Sequence, residues 1–267
     1  SDTVLLARRG ALAEITLNRP EAHNAFDGAL IGALQAALET AATDKKVRIV
    51  LLTGAGKSFS AGADLNWMRG MAAASESENL ADSRRLAKLM RTLNFLSKPT
   101  IARVNGAAYG GGVGLIACCD IAIGVRGAKF SLSEVKLGLV PAVISPYVIA
   151  AIGARHARRL FVTGEIFGAE QAARIGLLHE AVAPDEFDAA VDRIAHLLSK
   201  GGPLAQREAK QLALRVSGMS GDAAAEMDEG NAELIARLRV SEEGQHGLGA
   251  FLDKRAPRWV AQDPENS

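Results

Sequence analysis

The sequence is poor in cysteine: it has two in 267 residues. They are adjacent, Cys118 and Cys119, in an apolar run where a bridge between neighbours would be strained and would close no useful loop. The pair reads as small buried hydrophobes from a reducing compartment. An excess of one charge is also lacking. Lys and Arg number 31 against 30 Asp and Glu, so the formal net charge is +1, which gives no global attraction to nucleic acid or to membrane phosphates. No run approaches the roughly 18 apolar residues of a membrane span, and the N-terminus has no signal-like core. The expected location is cytoplasmic, although a cleaved targeting peptide would leave no trace.

Missing signatures narrow the chemistry further. The five histidines, His23, His156, His179, His196 and His246, are scattered, and no HExxH or paired Cys-x-x-Cys occurs, which argues against a metal site. Ser58-Phe59-Ser60 lacks the flanking glycines of a nucleophile elbow. Gly106 to Gly114 lacks the closing Lys-Ser/Thr of a phosphate-binding loop, and Gly110-x-Gly112-x-Gly114 has the wrong spacing for a dinucleotide fingerprint. No cofactor is expected beyond what a substrate brings.

What is present is glycine, concentrated where a chain would use it. Five glycines fall in the ten residues Asn105 to Gly114, between a short apolar strand and the small-residue run Leu115 to Cys119. Such a strand, turn and helix start points free N–H groups outward, the outline of an anion or oxyanion site. A second small-residue turn, Gly62-Ala63-Asp64, also precedes a helix. Two N–H groups converging on one oxygen suit the developing charge of a thioester enolate. Glu134, on a short polar turn, is the candidate proton carrier.

Around these turns the pattern is α/β. Alternation predicts a hairpin from Thr3–Arg8 and Leu12–Asn18, and Asp27 is expected to cap a helix running to about Ala42. Arg48–Thr53 is too continuously apolar for a half-exposed strand. An amphipathic helix is expected from near Glu78 to Leu96, strands at Thr100–Val104 and Ile121–Val125, and helices at 146–162 and 169–175. Beyond Pro184 the reading is helical at about 185–199, 203–217, 221–239 and 241–253. The predicted organisation is a core over residues 1–200 and a helical region over 201–267 that packs on the core or on a neighbouring subunit.

The residues Asn18-Arg-Pro-Glu21 with Asn24-Ala25, Phe59 to Asp64, Lys98-Pro99, Asn105-Gly106 with Gly110 to Gly112, Cys119-Asp120-Ile121, and Phe130 to Glu134 with Gly138 to Pro141 together resemble the crotonase (enoyl-CoA hydratase/isomerase) superfamily. The resemblance spans nearly the whole chain, to Ala250–Arg255. It implies a crotonase-like spiral of ββα turns with a helical C-terminal trimerisation region, a homotrimer or dimer of trimers, and an acyl-coenzyme A thioester as substrate. By position, the oxyanion hole falls on the N–H groups of Ala63 and Gly111. Lys57, Ala61, Asp64 and Leu65 fall beside coenzyme A and its acyl chain, and Phe251 and Lys254 beside a neighbour's nucleotide.

Hydratases of this family place two glutamates across the substrate. The second matches Glu134, but the first falls on Gly114. Gly112 to Asp120 and Leu139 to Tyr147 look most like bacterial methylglutaconyl-CoA hydratases of leucine breakdown, which carry glycine at the same place. Asn66, Arg69, Ser145 and Tyr147 are then candidate donors to the substrate's distal carboxylate. The competing readings are an enoyl-CoA isomerase using one glutamate, a hydratase of a longer branched glutaconyl-CoA, and a non-catalytic acyl-CoA- or RNA-binding protein on the same fold.

Overall fold

The computed structural model describes residues 2–260. The final seven residues of the predicted 201–267 region lie outside them. Ten strands and ten helices occur among the described residues. In chain order they are β1 Val4–Arg9, β2 Leu12–Leu17, α1 Gly28–Thr43, β3 Ile49–Gly54, β4 Ser58–Ser60, α2 Leu65–Ala73, α3 Glu76–Asn94, β5 Thr100–Val104, β6 Ala107–Tyr109 and α4 Gly111–Cys118. There follow β7 Ile121–Val125, β8 Lys129–Ser131, α5 Ser145–Thr163, β9 Ile166–Gly168, α6 Ala169–Ile175, β10 Glu180–Val182, α7 Phe187–Ser199, α8 Pro203–Val216, α9 Gly221–Val240 and α10 Glu242–Leu252.

The strands form two sheets, of order β1-β2-β3-β5-β7-β10 and β4-β6-β8-β9. The chain lays one strand in the large sheet and the next in the small one before it enters a helix or turn. Thus β3, β5 and β7 are parallel neighbours in the first, and β4, β6 and β8 in the second. This is the expected spiral of ββα turns. The β1–β2 hairpin starts it, with Val4 opposite Leu17.

Burial explains the strand that is apolar throughout. Val50 and Leu52 of β3 face the main core with Ile15, Leu34 and Leu93, whereas Ile49 and Leu51 face a second cluster with Phe187 and Val191 of α7. A strand covered on both faces has no polar side to show. Helix starts are set by side chains: Asp27 accepts from the Leu30 N–H at 2.8 Å, and Ser75 with Glu78 closes a capping box on α3. Cys118 and Cys119 are free thiols within the core, and burial pushes the Cys119 thiol up to about 12.

The C-terminal helices fold back onto this core. Helix α9 packs along α3, and α10 packs against α2 and the 3₁₀ turn Glu134–Leu137. Helix α8, by contrast, buries none of its residues. Among the described residues no helix is long and apolar enough to cross a membrane.

Candidate active site

The two glycine turns meet at one place. In a parallel bridge, Phe26 N–H donates to the Gly62 carbonyl at 2.6 Å and the Phe26 carbonyl accepts from Asp64 N–H at 2.8 Å. Ala63 between them therefore turns its own N–H to the other side, where it has no acceptor among the described residues. Gly62 holds φ at +83°, and a Cβ on it would lie 3.0 Å from the Tyr109 carbonyl oxygen, so the Ala63 turn rests directly on the end of β6, just before Gly110. Gly111 opens α4, and its N–H is one of the four that a helix start leaves without an intrahelical partner.

The remaining glycines of this stretch are required by close approach. A Cβ on Gly111 would lie 2.6 Å from the Phe26 ring, and one on Gly112 would lie 2.6 Å from the Ser60 carbonyl oxygen. Two asparagines hold the turns around them. Asn24 donates to the carbonyls of Ala55 and Ser58, both at 2.9 Å. Asn105 accepts from Gly54 N–H at 3.0 Å and donates to the Gly56 carbonyl at 3.1 Å.

Glu134 stands against this pair of N–H groups. The Gly110 N–H donates to the Ser131 carbonyl at 3.0 Å, which brings β8 and the following turn beside the start of α4. Gly110 has φ +49°, and a Cβ there would lie 3.0 Å from Glu134 Oε1. Glu134 as a residue is half-buried, but its Oε2 is sealed from solvent and has no hydrogen-bond partner. Burial without a cation pushes its carboxyl up to about 7. The group is thus poised to gain or lose a proton near neutrality.

These groups line one cavity of about 740 Å³. Ala61, Ala63, Gly110, Gly111 and Glu134 form one wall, and Met68, Met71, Leu86, Ile144, Ile235 and Leu248 belong to an apolar remainder. Phe251 also lines it and is half exposed. The other predicted contacts sit elsewhere. Asp64 caps α2, accepting from Asn66 N–H at 2.8 Å and Trp67 N–H at 3.2 Å, and pairs with Arg19 at 3.1 Å. Burial works to raise its carboxyl, but the Trp67, Asn66 and Arg19 donors outweigh it and hold it below the ordinary range.

Lys57, Leu65 and Lys254 are exposed and off the cavity wall. Asn66 and Arg69 bond each other on the surface, and the Ser145 hydroxyl donates to the Ala142 carbonyl at 2.7 Å. Tyr147, 1% exposed, is a core anchor whose hydroxyl has no partner. None of these last four side chains reaches the cavity, so the expectation that they meet a distal carboxylate is corrected.

Four residues that the sequence reading passed over matter more. A Cβ on Gly114 would overlap Ile144 Cγ2, would lie 2.8 Å from Ile144 Cβ, and would lie 3.3 Å from the terminal methyl of Met90. The place of the family's first glutamate is therefore filled by hydrocarbon. Ser83 and Arg239 also line the cavity. The Ser83 hydroxyl is buried without a partner, and Arg239 Nη1 donates to Asn79 Oδ1 at 3.2 Å. Among the described residues no group of three or more His, Cys, Asp or Glu comes together as a metal set.

Known proteins share this arrangement of chain. A family profile described as enoyl-CoA hydratase/isomerase matches residues 7–262. The 2,3-dehydroadipyl-CoA hydratase of Escherichia coli is 35% identical over 95% of this chain and 97% of its own. The crotonyl-CoA hydratase of Syntrophomonas wolfei is 32% identical over 98% and 99%. A crystal structure of an enoyl-CoA hydratase from Shewanella pealeana superimposes with a TM-score of 0.79 at 44% identity, covering 96% of each chain.

Proposed function

The chain belongs to the enoyl-CoA hydratase/isomerase family, and we propose that it hydrates the double bond of an α,β-unsaturated acyl-CoA, with 3-methylglutaconyl-CoA of leucine degradation as its substrate. The observation that carries the reading is the juxtaposition of Glu134, whose carboxyl burial raises to about 7, with the unpartnered N–H of Ala63 and the helix-start N–H of Gly111. In this reading the thioester oxygen accepts from both N–H groups. Glu134 takes a proton from water as the water oxygen bonds to the β-carbon, and the π electrons move onto the thioester as an enolate. The protonated Glu134 then returns that proton to the α-carbon. One carboxyl thus acts as base and then acid, which fits a site whose opposite position is occupied by Ile144 and Met90 rather than by a second glutamate.

The hole contributes the larger share of the barrier lowering, since one oxyanion donor in other enzymes is worth about 3–4 kcal/mol. Coenzyme A enters as part of the substrate, with no other cofactor and no metal. A trimer or dimer of trimers, with Phe251 and Lys254 reaching a neighbour's nucleotide, belongs to the same reading and is tested by sedimentation.

The hydrocarbon beside Gly114 also suits a second reading, an isomerase in which Glu134 carries a proton between two carbons of the acyl chain. Assay of purified enzyme against crotonyl-CoA, 3-methylglutaconyl-CoA and a 3-enoyl-CoA separates them. Loss of the 2-enoyl absorbance with water addition supports the hydratase. Migration of the 3-enoyl double bond without hydration would overturn it.

A further inference from the structure

We propose that Arg239 and Ser83 form a carboxylate subsite at the acyl end of the cavity, which makes the enzyme selective for enoyl-CoA substrates whose acyl chain ends in a carboxylate. The inference rests on the acyl-CoA reading above and adds the residues that read the far end of the chain.

Four ionisable side chains other than tyrosine line the cavity: Glu134, Lys136, Arg239 and Arg255. Lys136 is exposed, and half of the Arg255 side chain is open to solvent. Arg239 alone is a buried cation, with 13% of its side chain exposed, on a cavity wall that also includes Met68, Met71 and Ile235. Burying a guanidinium in such a wall is unfavourable unless an anion offsets it.

The protein offsets it only in part. Asp82 Oδ2 is 3.6 Å from Arg239 Nη1, but Asp82 also accepts from Arg85 at 2.9 Å through Oδ1. Arg85 is mostly open to solvent, so Asp82 is the counter-charge to Arg239, but its Oδ2 makes no hydrogen bond to the guanidinium. Arg239 spends Nη1 on Asn79, while its Nε and Nη2 donate to no protein atom among the described residues. A planar carboxylate fits those remaining donors.

Ser83 supplies the second, independent sign. It is 1% exposed, lies on the cavity wall, and its hydroxyl makes no hydrogen bond. A helical serine commonly bonds the carbonyl one turn back; this one does not, which leaves a sealed O–H without a partner on a residue of the cavity wall. Ser83 is one turn beyond Asn79 on α3, on the same face, so it shares the corner that Arg239 enters. The Arg239 guanidinium lies 5.8 Å from the Trp67 ring centre, and Trp67 lines the same cavity as the Ala63 donor. The subsite and the oxyanion donors therefore share one cavity of about 740 Å³, which a dicarboxylic acyl chain can span.

The test compares glutaryl-CoA with butyryl-CoA, saturated thioesters that differ in the distal carboxylate, by calorimetric binding to the wild-type protein and to the Arg239→Gln, Arg239→Lys and Ser83→Ala variants. The wild type is expected to bind glutaryl-CoA roughly 10- to 100-fold more tightly, the worth of hydrogen bonds to a charged group. That ratio should collapse in Arg239→Gln, recover in part in Arg239→Lys, and shrink in Ser83→Ala. Equal affinities in the wild type, tighter butyryl-CoA binding, or variants that weaken both ligands alike would overturn the subsite. If Arg239→Gln fails to fold, the wild-type ratio and Ser83→Ala still decide. Hydration of 3-methylglutaconyl-CoA is measured alongside: its absence with the glutaryl preference intact would remove the hydratase reading and leave the subsite standing.

Discussion

Replacing Glu134 by glutamine should abolish hydration and stabilise the protein at the same time. The carboxyl is held near 7 by burial, against an ordinary value of 4.5. A carboxyl whose value is higher when folded binds its proton more tightly in the native state, so stability is full below 4.5 and falls as pH rises from there through about 7. The interval corresponds to about 3 kcal/mol. Water drawn into the cavity hydrates the carboxylate and lowers that figure, and a buried glutamine amide needs partners of its own, so about 1–2 kcal/mol of gain at pH 8 is the expected size.

The measurement is urea denaturation of wild type and Glu134→Gln at one protein concentration, at pH 5 and pH 8. The two curves should nearly coincide at pH 5 and separate at pH 8, with the variant more stable. In parallel, wild-type kcat/KM for hydration should rise with pH along a single limb centred near 7, because the base form must accept the proton from water and no second acid limits the upper side. A variant less stable than wild type at pH 8, or a gap unaffected by pH, would show that the carboxylate is paired in solution and that its activation by burial is wrong.

The same geometry sets further outcomes. Gly111→Ala drives a methyl against the Phe26 ring and shifts an oxyanion donor; hydration kcat should fall about 100-fold or more, measured by loss of enoyl absorbance. Gly114→Glu, which restores the family's first acid in sequence, should destabilise by about 3 kcal/mol or more, because its side chain must enter the space of Ile144 with a charge; thermal melts check this. Tyr147→Phe removes a buried hydroxyl that has no partner and should leave kcat unchanged and stability equal or about 1 kcal/mol higher; a tenfold activity loss would return Tyr147 to the site. Asp64→Ala removes the α2 cap and the Arg19 ion pair, lowering stability by about 1–2 kcal/mol in urea titration.

The fold was legible where local chemistry and burial agree. The alternation of Ala13, Ile15 and Leu17, the Asp27 cap and the continuous apolar run of β3 each state one environment, and each element lies within a few residues of its expected place. The three-residue strands β4, β6, β8 and β9 carry too few side chains for a period to show, so the second sheet was visible only through the family resemblance. The glycine turns were legible for a different reason: Gly111 and Gly112 are fixed by backbone packing on Phe26 and Ser60, and close packing of that kind leaves glycine in the sequence.

The pocket was harder to read because its far wall is made by helices distant in sequence, α3 and α9. Yet a signal existed. Ala232, Ile235 and Ala236 mark the buried stripe of α9, and Arg239 falls on it at the next three- and four-residue steps; Asn79, Ser83, Ala87 and Met90 mark the corresponding stripe of α3. Polar side chains on two core-facing stripes that pack together must either satisfy each other or await something else. Asn79 and Arg239 satisfy each other in part, while the Ser83 hydroxyl and the rest of the Arg239 fork do not. On the opposite side, Gly114 invites a search for a lost acid, but Ile144 fills that space completely. The polar complement to Glu134 is therefore displaced from the reacting carbons to the end of the acyl chain, where it can govern which substrate binds and leave the proton transfer to one carboxyl.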